Sequence, residues 1–329
     1  MNIYDIASKA GVSITTVSRV INGSSNVSLK TKEKVQQVMK EMNYIPSQLA
    51  VGLATRTTKT IGILLPDVRD SFHAEVAYRI ESKMSLEGYM CILCNTNLTN
   101  GREVDYLHEL YKKNVDGIIL VGSTYQNNTM DEGLKRWENK IPIVLINAVS
   151  QEGTASVVCD VEEGIKQALI HLQERGKQHP VFIKDTSEYQ KRASITKEDA
   201  FIKSYREIYG DKNLPEQYRS LPYLKDYLAV IEELKNKEAD SILFTSDMCC
   251  AVFLKAMQCA GLETPGDYAL IGFNNASITS LTTPAITTID HLVNEHCEAA
   301  IDKLLKLMKN ETVEKITYIK PQLVVRETT

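Results

Sequence analysis

Residues 13–19, Ser-Ile-Thr-Thr-Val-Ser-Arg, place short hydroxyls and one guanidinium along a run whose apolar members recur at helical spacing. Hydroxyls and a forked guanidinium are the groups that hydrogen-bond to base edges, and a helix carrying them fits the major groove of DNA. Val17, Val20 and Ile21 turn the other side of the same run toward a core. That leaves Ile14, Thr15, Thr16, Ser18 and Arg19 on the outer face, behind Ser13 at the N-cap position. One element upstream, Ile6, Ala7 and Ala10 form the apolar stripe of a preceding helix, and Gly11 supplies the freedom a sharp turn needs. A small helical hairpin docked on a neighbour is the alternative. The next forty residues favour DNA.

No other stretch carries comparable chemistry. There is no G-x-S-x-G, no glycine loop ending in G-K-[ST] and no His/Cys spacing of a metal finger, so an enzyme is not expected. Cys91 and Cys94 form a C-x-x-C inside the apolar stretch YMCILC, with no second pair. Seven cysteines without a secreted framework read as buried reduced thiols, Cys249 and Cys250 included. The six histidines are scattered and read as surface or packing residues. Neither a cofactor nor a metal is expected. No signal peptide, membrane-spanning run or lipidation motif is visible, which points to the cytoplasm and away from membranes.

Charge separates the chain into two parts. Residues 1–59 hold eight Lys and Arg against three Asp and Glu, a balance of +5. The whole chain carries −4, so the remainder carries −9. A basic head on an acidic body holds the head against phosphates and the body away from them. A length of 329 residues is ample for such a division.

A third helix is expected over about 30–42, capped by Ser28 and ended by Asn43-Tyr44-Ile45-Pro46. Residues 47–54, SQLAVGLA, form a short segment too weak to be a stable helix alone, weakened further by Gly52. Residues 55–60 read as a flexible lead. From residue 60 short apolar strands alternate with amphipathic helices. The strands fall at 61–65, 89–95, 117–121, 143–146, 181–184, 242–245 and 270–273. The helices fall at 74–87, 103–113, 162–175, 195–209, 227–236, 249–260 and 294–309. This alternation predicts doubly wound parallel sheets, too many strands for one sheet, and hence two α/β lobes facing a cleft.

Taken together, YDIASKAGVSITTVSRVING, NVSLKTKEKV, MNYIPSQLAVGLA, TIGILLPD, VDGIIL, SDMCCAVFLKAMQCAGLETPGDYALIGFNN, LTTPAITTI and LVVRETT resemble the LacI/GalR family of bacterial transcription regulators over nearly the full length. The resemblance implies a small all-α helix-turn-helix head (1–46), a hinge helix and linker (47–59), and a periplasmic-binding-protein-like body (60–329). Three crossovers divide that body, with one lobe at about 60–158 and 291–319 and the other at about 159–290 and 320–329. It also implies a homodimer that reads a roughly palindromic operator, with Leu53 wedged into the minor groove. Ile14 and Thr15 match the family's specificity positions and Arg19 its base-contacting Arg. Asn22, Ser28 and Thr31 fit phosphate contacts, with plain capping and turn duty as the alternative.

In the family's effector pocket the matched positions are Phe72 and His73, Lys197 where an Arg is usual, and Asn274 where an Asp is usual. Asn147 and Ser246 end neighbouring strands and join the expected set, as does Tyr223 (or Leu221) as an apolar wall. Losing a carboxylate while keeping a cation points to an anionic effector, a sugar acid or sugar phosphate, rather than a neutral sugar. Control by a partner protein is a second possibility. A sugar-binding protein without a regulatory role is a third, but it has no use for residues 1–56. Allosteric repression is the mechanism expected from the resemblance, with the sign of the effector's action left open.

Overall fold

The computed structural model describes residues 2–23, 26–45, 57–97, 102–137, 139–186, 191–210, 217–220 and 223–329. Residues 46–56, with Leu53 and all of the hinge segment expected at 47–54, lie outside this set, as does Leu221.

The head is built from α1 (Ile3–Ala10), α2 (Ile14–Ile21) and α3 (Leu29–Glu41). Each begins on a side-chain cap. Asn2 accepts the N–H groups of Tyr4 and Asp5, Ser13 that of Thr16, and Ser28 that of Thr31, which satisfies donors that an open helix end leaves without partners. Gly11 ends α1 at φ +63, a left-handed conformation that a Cβ disfavours. Ile6, Ala7, Ala10, Val17, Val20, Val35 and Val38 close a small core between the three helices.

The body contains two six-stranded sheets. The first joins β1 (Thr60–Leu65), β2 (Met90–Asn95), β3 (Gly117–Val121), β4 (Ile143–Ile146), β5 (Ala155–Cys159) and β11 (Ile316–Ile319), in the order β11-β5-β4-β3-β1-β2 and parallel throughout. The second joins β6 (Pro180–Asp185), β7 (Gln217–Ser220), β8 (Ser241–Phe244), β9 (Ala269–Phe273), β10 (Thr287–Asp290) and β12 (Gln322–Val324), in the order β12-β10-β9-β8-β6-β7. It is parallel except at its edge, where β12 runs against β10. The chain thus passes between sheets after Cys159, after Asp290 and after Ile319.

Helices cover both faces of each sheet. On the first, Ile61, Ile63 and Leu65 pack with α4 (Ser71–Leu86) and α12 (Val293–Met308), while Leu64, Ile118 and Leu120 point the other way, onto α5 (Arg102–Lys112) and α6 (Asn128–Trp137). Strands buried on both sides read as unbroken apolar runs. The second sheet packs one face on α7 (Val161–Glu174) and α8 (Lys191–Tyr209), and the other on α9 (Leu224–Leu234) and α10 (Asp247–Cys259). A short α11 (Ile278–Leu281) follows β9. Gly62 permits one close approach, since a Cβ there would lie 2.5 Å from Leu110 Cδ1. The terminal motif is sewn onto the second sheet, Thr328 Oγ1 donating to the Leu270 carbonyl at 2.7 Å and accepting from the Thr287 N–H at 2.9 Å.

Cys94, Cys159, Cys249, Cys250 and Cys297 are buried thiols, Cys91 is half-buried, and Cys259, the last residue of α10, is exposed, which corrects the reading of all seven as buried. No helix among the described residues is long and apolar enough to cross a membrane.

Candidate functional site

On α2, Ile14 (40% exposed), Thr15 and Arg19 face outward, while Thr16 and Ser18 are half-buried. The hydroxyls of the head are already at work inside it. Ser13 Oγ lies 2.9 Å from Thr16 Oγ1 and Ser28 Oγ lies 2.8 Å from Thr31 Oγ1, in addition to their capping bonds. Asn22 Nδ2 donates to Ser18 Oγ at 3.4 Å. Capping duty and an exposed position coexist at Ser13 and Ser28, so phosphate contact is open to both. The side chains of Ile14, Thr15 and Arg19 make no hydrogen bond or ion pair within the head among the described residues.

Where the chain enters the body, residues 57–59 are tied down rather than loose. Asp116, just before β3, accepts the backbone N–H of Thr58 at 2.9 Å and that of Lys59 at 2.8 Å, and the Thr57 hydroxyl donates to it as well. The Thr58 hydroxyl donates to the Asn114 carbonyl at 2.7 Å. This corrects the flexible lead expected over 55–60 for residues 57–59, while 55 and 56 lie outside the described residues. The signal was a lone Asp more than fifty residues away, which no local pattern connects to the linker.

At the carboxyl ends of both sheets' strands lies a cavity of about 440 Å³, within the size range of small-ligand sites. Phe72, His73, Asn147, Lys197 and Asn274 line it, joined by Cys159, Asp160, Asp199 and His291. Two expected members are elsewhere. Tyr223 is 57% exposed at the start of α9 and does not line the cavity. Ser246 caps α10 by accepting the Cys249 N–H, and does not line it either.

Position 197 is buried inside α8, which starts a turn earlier than its sequence pattern indicated. The Lys197 ammonium donates to the Thr245 carbonyl at 2.7 Å and lies 3.9 Å from the ring centroid of Phe273. It forms no ion pair among the described residues, and burial pulls its pKa down to about 8. His73 donates through Nδ1 to the Asp67 carbonyl at 3.2 Å, and burial lowers its pKa as well. Burial outweighs the Asp70 carboxylate 3.6 Å from Nδ1, which favours the neutral ring at pH 7. Gly122, at φ +122, makes room for it, because a Cβ there would lie 3.2 Å from His73 Nε2. The carboxylates of Asp160, Glu162 and Asp199 also line the cavity. Asp160 caps α7 and Glu162 pairs with Lys203 at 2.6 Å.

Sequence reasoning missed His291. It lies between the cleft amides, with Asn147 Nδ2 at 2.8 Å from Nε2 and Asn274 Oδ1 at 3.3 Å from Nδ1. Cys159, His291 and His296 bring ligand-type atoms within 4.8 Å of one another. Both ring nitrogens of His291 are already engaged and the Lys197 ammonium acts on the same ring, so the group serves hydrogen bonding better than a cation.

A basic helix-turn-helix head joined to a two-lobed α/β body with a ligand-sized cleft defines a DNA-binding transcriptional regulator, not an enzyme. Residues 2–47 match the sequence profile of the bacterial regulatory proteins of the lacI family, and residues 169–329 that of the periplasmic binding protein-like domain. The chain is 34% identical to an HTH-type transcriptional regulator of Lachnoclostridium phytofermentans over 333 residues, covering 100% of this chain and 99% of that protein. It is 30% identical to catabolite control protein A of Staphylococcus xylosus over 328 residues, covering 98% and 96%. Its fold superposes on that of the Lac repressor dimer bound to operator and the anti-inducer ONPF with a TM-score of 0.87, at 23% identity, covering 100% of this chain and 98% of that one. The protein belongs to the lacI family of bacterial regulatory proteins.

Proposed function

We propose that the protein is a repressor that binds a palindromic operator as a homodimer, and that a small carbohydrate-like acid in the cleft controls it. Ile14, Thr15 and Arg19 read base edges in the major groove. Asn22, Ser28 and Thr31 hold phosphates, and Leu53 enters the minor groove at the centre of the site. Phe72, His73, Asn147, Lys197 and Asn274 form the effector site, with Asn147 and Asn274 engaged by His291 until a ligand competes for them. The domain boundaries of this reading are the head at 1–46, the linker at 47–59 and the two lobes that exchange at about 159, 291 and 320.

One observation carries the choice of an acid. Lys197 is a buried ammonium on the cavity wall with a carbonyl and a ring for company and no carboxylate partner among the described residues. A carboxylate or phosphate placed there gains a charge-assisted hydrogen bond and restores the lysine's full protonation. The three carboxylates that also line the cavity suit a ligand whose remaining surface is hydroxyl-rich and uncharged, since hydroxyls donate to carboxylates.

Operator selection with the purified protein, repeated with neutral sugars, sugar acids and sugar phosphates, tests the whole reading. A palindrome whose affinity shifts with an acid and not with the matching neutral sugar supports it and gives the sign of control. A palindrome that responds to a neutral sugar overturns the acid. A palindrome indifferent to every compound points to a protein partner. No enriched sequence overturns the operator claim.

A further inference from the structure

We infer that His291 is a positioning residue that joins the two sheets across the cleft as a neutral imidazole protonated on Nδ1, accepting a hydrogen bond from Asn147 of the first sheet's edge of the cleft and donating one to Asn274 of the second. The inference stands on the cleft's own geometry and holds whatever ligand the cleft takes.

The direction of each bond is forced from one end. The backbone N–H of Cys159, the last residue of β5, donates to Asn147 Oδ1 at 3.0 Å. That fixes the amide's orientation, because a backbone N–H requires an acceptor. The other end of the amide, 2.8 Å from His291 Nε2, is then NH2 and can only donate. Nε2 must therefore be the bare acceptor nitrogen. In a neutral ring the proton then sits on Nδ1, the nitrogen that faces Asn274 Oδ1 at 3.3 Å. The chain of donors runs in one sense from β5 through Asn147 and His291 to Asn274, and each link polarises the next.

The elements around it make the placement specific. Asn147 follows β4 at φ 58 and Asn274 follows β9 at φ 111, left-handed conformations that an Asn tolerates better than most residues. His291 follows β10, at the point where the chain leaves the second sheet for α12 on the first. Its ring packs against Phe72 (centroids 4.8 Å apart), Phe273 (5.8 Å) and His296 (4.9 Å).

The titratable groups turned toward it are Lys197 from α8, His296 from α12 and the Cys159 thiol from β5. The Asp290 carboxylate beside it is taken by Asn275 Nδ2 and the Leu292 N–H. Burial, His296 and Lys197 all push its pKa down, which keeps the ring neutral near pH 7. A consequence for ligand recognition follows. Asn147 gives one N–H and Asn274 one carbonyl lone pair to His291, so a ligand that takes that N–H from Asn147 breaks the hydrogen bond that crosses between the sheets.

Long-range proton–nitrogen correlation spectra of the full chain labelled with nitrogen-15 histidine read the tautomer directly, and His291→Gln identifies the resonance among the six histidines. The expected wild-type signal at pH 7 is a neutral ring protonated on Nδ1. Asn147→Ala removes the donor to Nε2, and the signal is expected to move toward the Nε2-protonated form that histidine prefers in water. Glutamine presents a carbonyl and an amide, so His291→Gln should melt close to wild type, whereas His291→Leu should melt about 3 °C or more lower. An imidazolium or an Nε2-protonated ring in the wild type, a tautomer unmoved by Asn147→Ala, or equal melting of the Gln and Leu variants overturns the inference. None of these outcomes bears on whether the ligand is an acid.

Discussion

Lys197 holds its ammonium 3.9 Å from the ring centroid of Phe273, a cation resting on an aromatic face inside the body. The fall of its pKa from 10.5 to about 8 through burial corresponds to a cost to the folded state of about 3 kcal/mol below pH 8. The unfolded chain holds the proton up to its higher pKa, so stability rises with pH between about 8 and 10.5. Lys197→Met keeps the stem and drops the charge, while leaving the Thr245 carbonyl one donor short at about 1–2 kcal/mol. Urea denaturation should therefore find the variant about 1–2 kcal/mol more stable at pH 7, with the advantage shrinking at pH 9.5. A variant less stable than wild type at pH 7 contradicts this account.

The same lysine sets a pH limit on an acidic effector. Below about pH 8 it is charged before the ligand arrives. Above that pH, binding must first take up a proton, so affinity should fall about tenfold per pH unit. Titration calorimetry in buffers of different ionisation heat would register the proton uptake. Affinity unchanged from pH 7 to pH 9 would remove Lys197 from the site.

Three histidines give the body an acid limb. His73, His291 and His296 are all buried with pKa values lowered from 6.5, chiefly by burial. Below pH 6.5 the unfolded chain binds protons that the folded chain refuses, so stability must fall as pH falls through that value. The urea midpoint should drop between pH 6.5 and 5, and His296→Leu should flatten the slope. A flat profile in wild type would show that these rings are protonated in the fold at no cost.

Asp116 gathers the N–H groups of Thr58 and Lys59 where the linker meets the body. Asp116→Ala leaves those donors without their partner, an expected loss of about 2 kcal/mol. The thermal midpoint of the body should fall, and the effector's influence on operator affinity should weaken because the linker's anchor has gone. An unchanged midpoint would mean the anchor holds nothing in solution.

Head and linker make separable contributions to operator binding. Arg19→Ala should cost about 1–3 kcal/mol of affinity and relax sequence preference at one position of each half-site. If Leu53 has the proposed wedge role, Leu53→Ala should weaken affinity by a similar amount while leaving the melting curve in place, because a wedge acts on bent DNA rather than on the fold. Gel-shift titrations against the selected operator and a scrambled one distinguish the two. Equal loss on both sequences for Arg19→Ala would assign that residue to the phosphates.

Several elements were legible because their causes are local. The strand expected at 117–121 is β3 and that at 143–146 is β4, since an unbroken apolar run bounded by turn residues has few other uses. Ser13, Ser28 and Gly11 announced the head's helix ends by their side chains or their lack of one. The strands β5, β7, β10, β11 and β12 went unseen. They are short, and β10 reads as Thr-Thr-Ile-Asp, polar to the eye. It is buried because Thr288 Oγ1 donates to Asp247 Oδ1 and Thr287 meets Thr328 and Thr329, partners that stand forty residues away in either direction.

The sequence by itself determined that a basic three-helix reader precedes a two-sheet body, because helical spacing, caps and apolar runs are properties of neighbouring residues. The family resemblance carried by its motifs also marked Phe72, His73, Lys197 and Asn274 as cleft residues, and strand ends marked Asn147 and Ser246, of which Ser246, like the expected Tyr223, lies elsewhere. Only the tertiary structure decided what those side chains do. It buried His73 and lowered its pKa, set Lys197 on Phe273 with no ion pair among the described residues, sent Tyr223 to solvent, and brought His291 between Asn147 and Asn274. Charge state and hydrogen-bond direction depend on which groups surround an atom and how much water reaches it. Here Thr245 stands 48 residues from Lys197 and Asn147 stands 144 from His291, separations that no window along the chain contains.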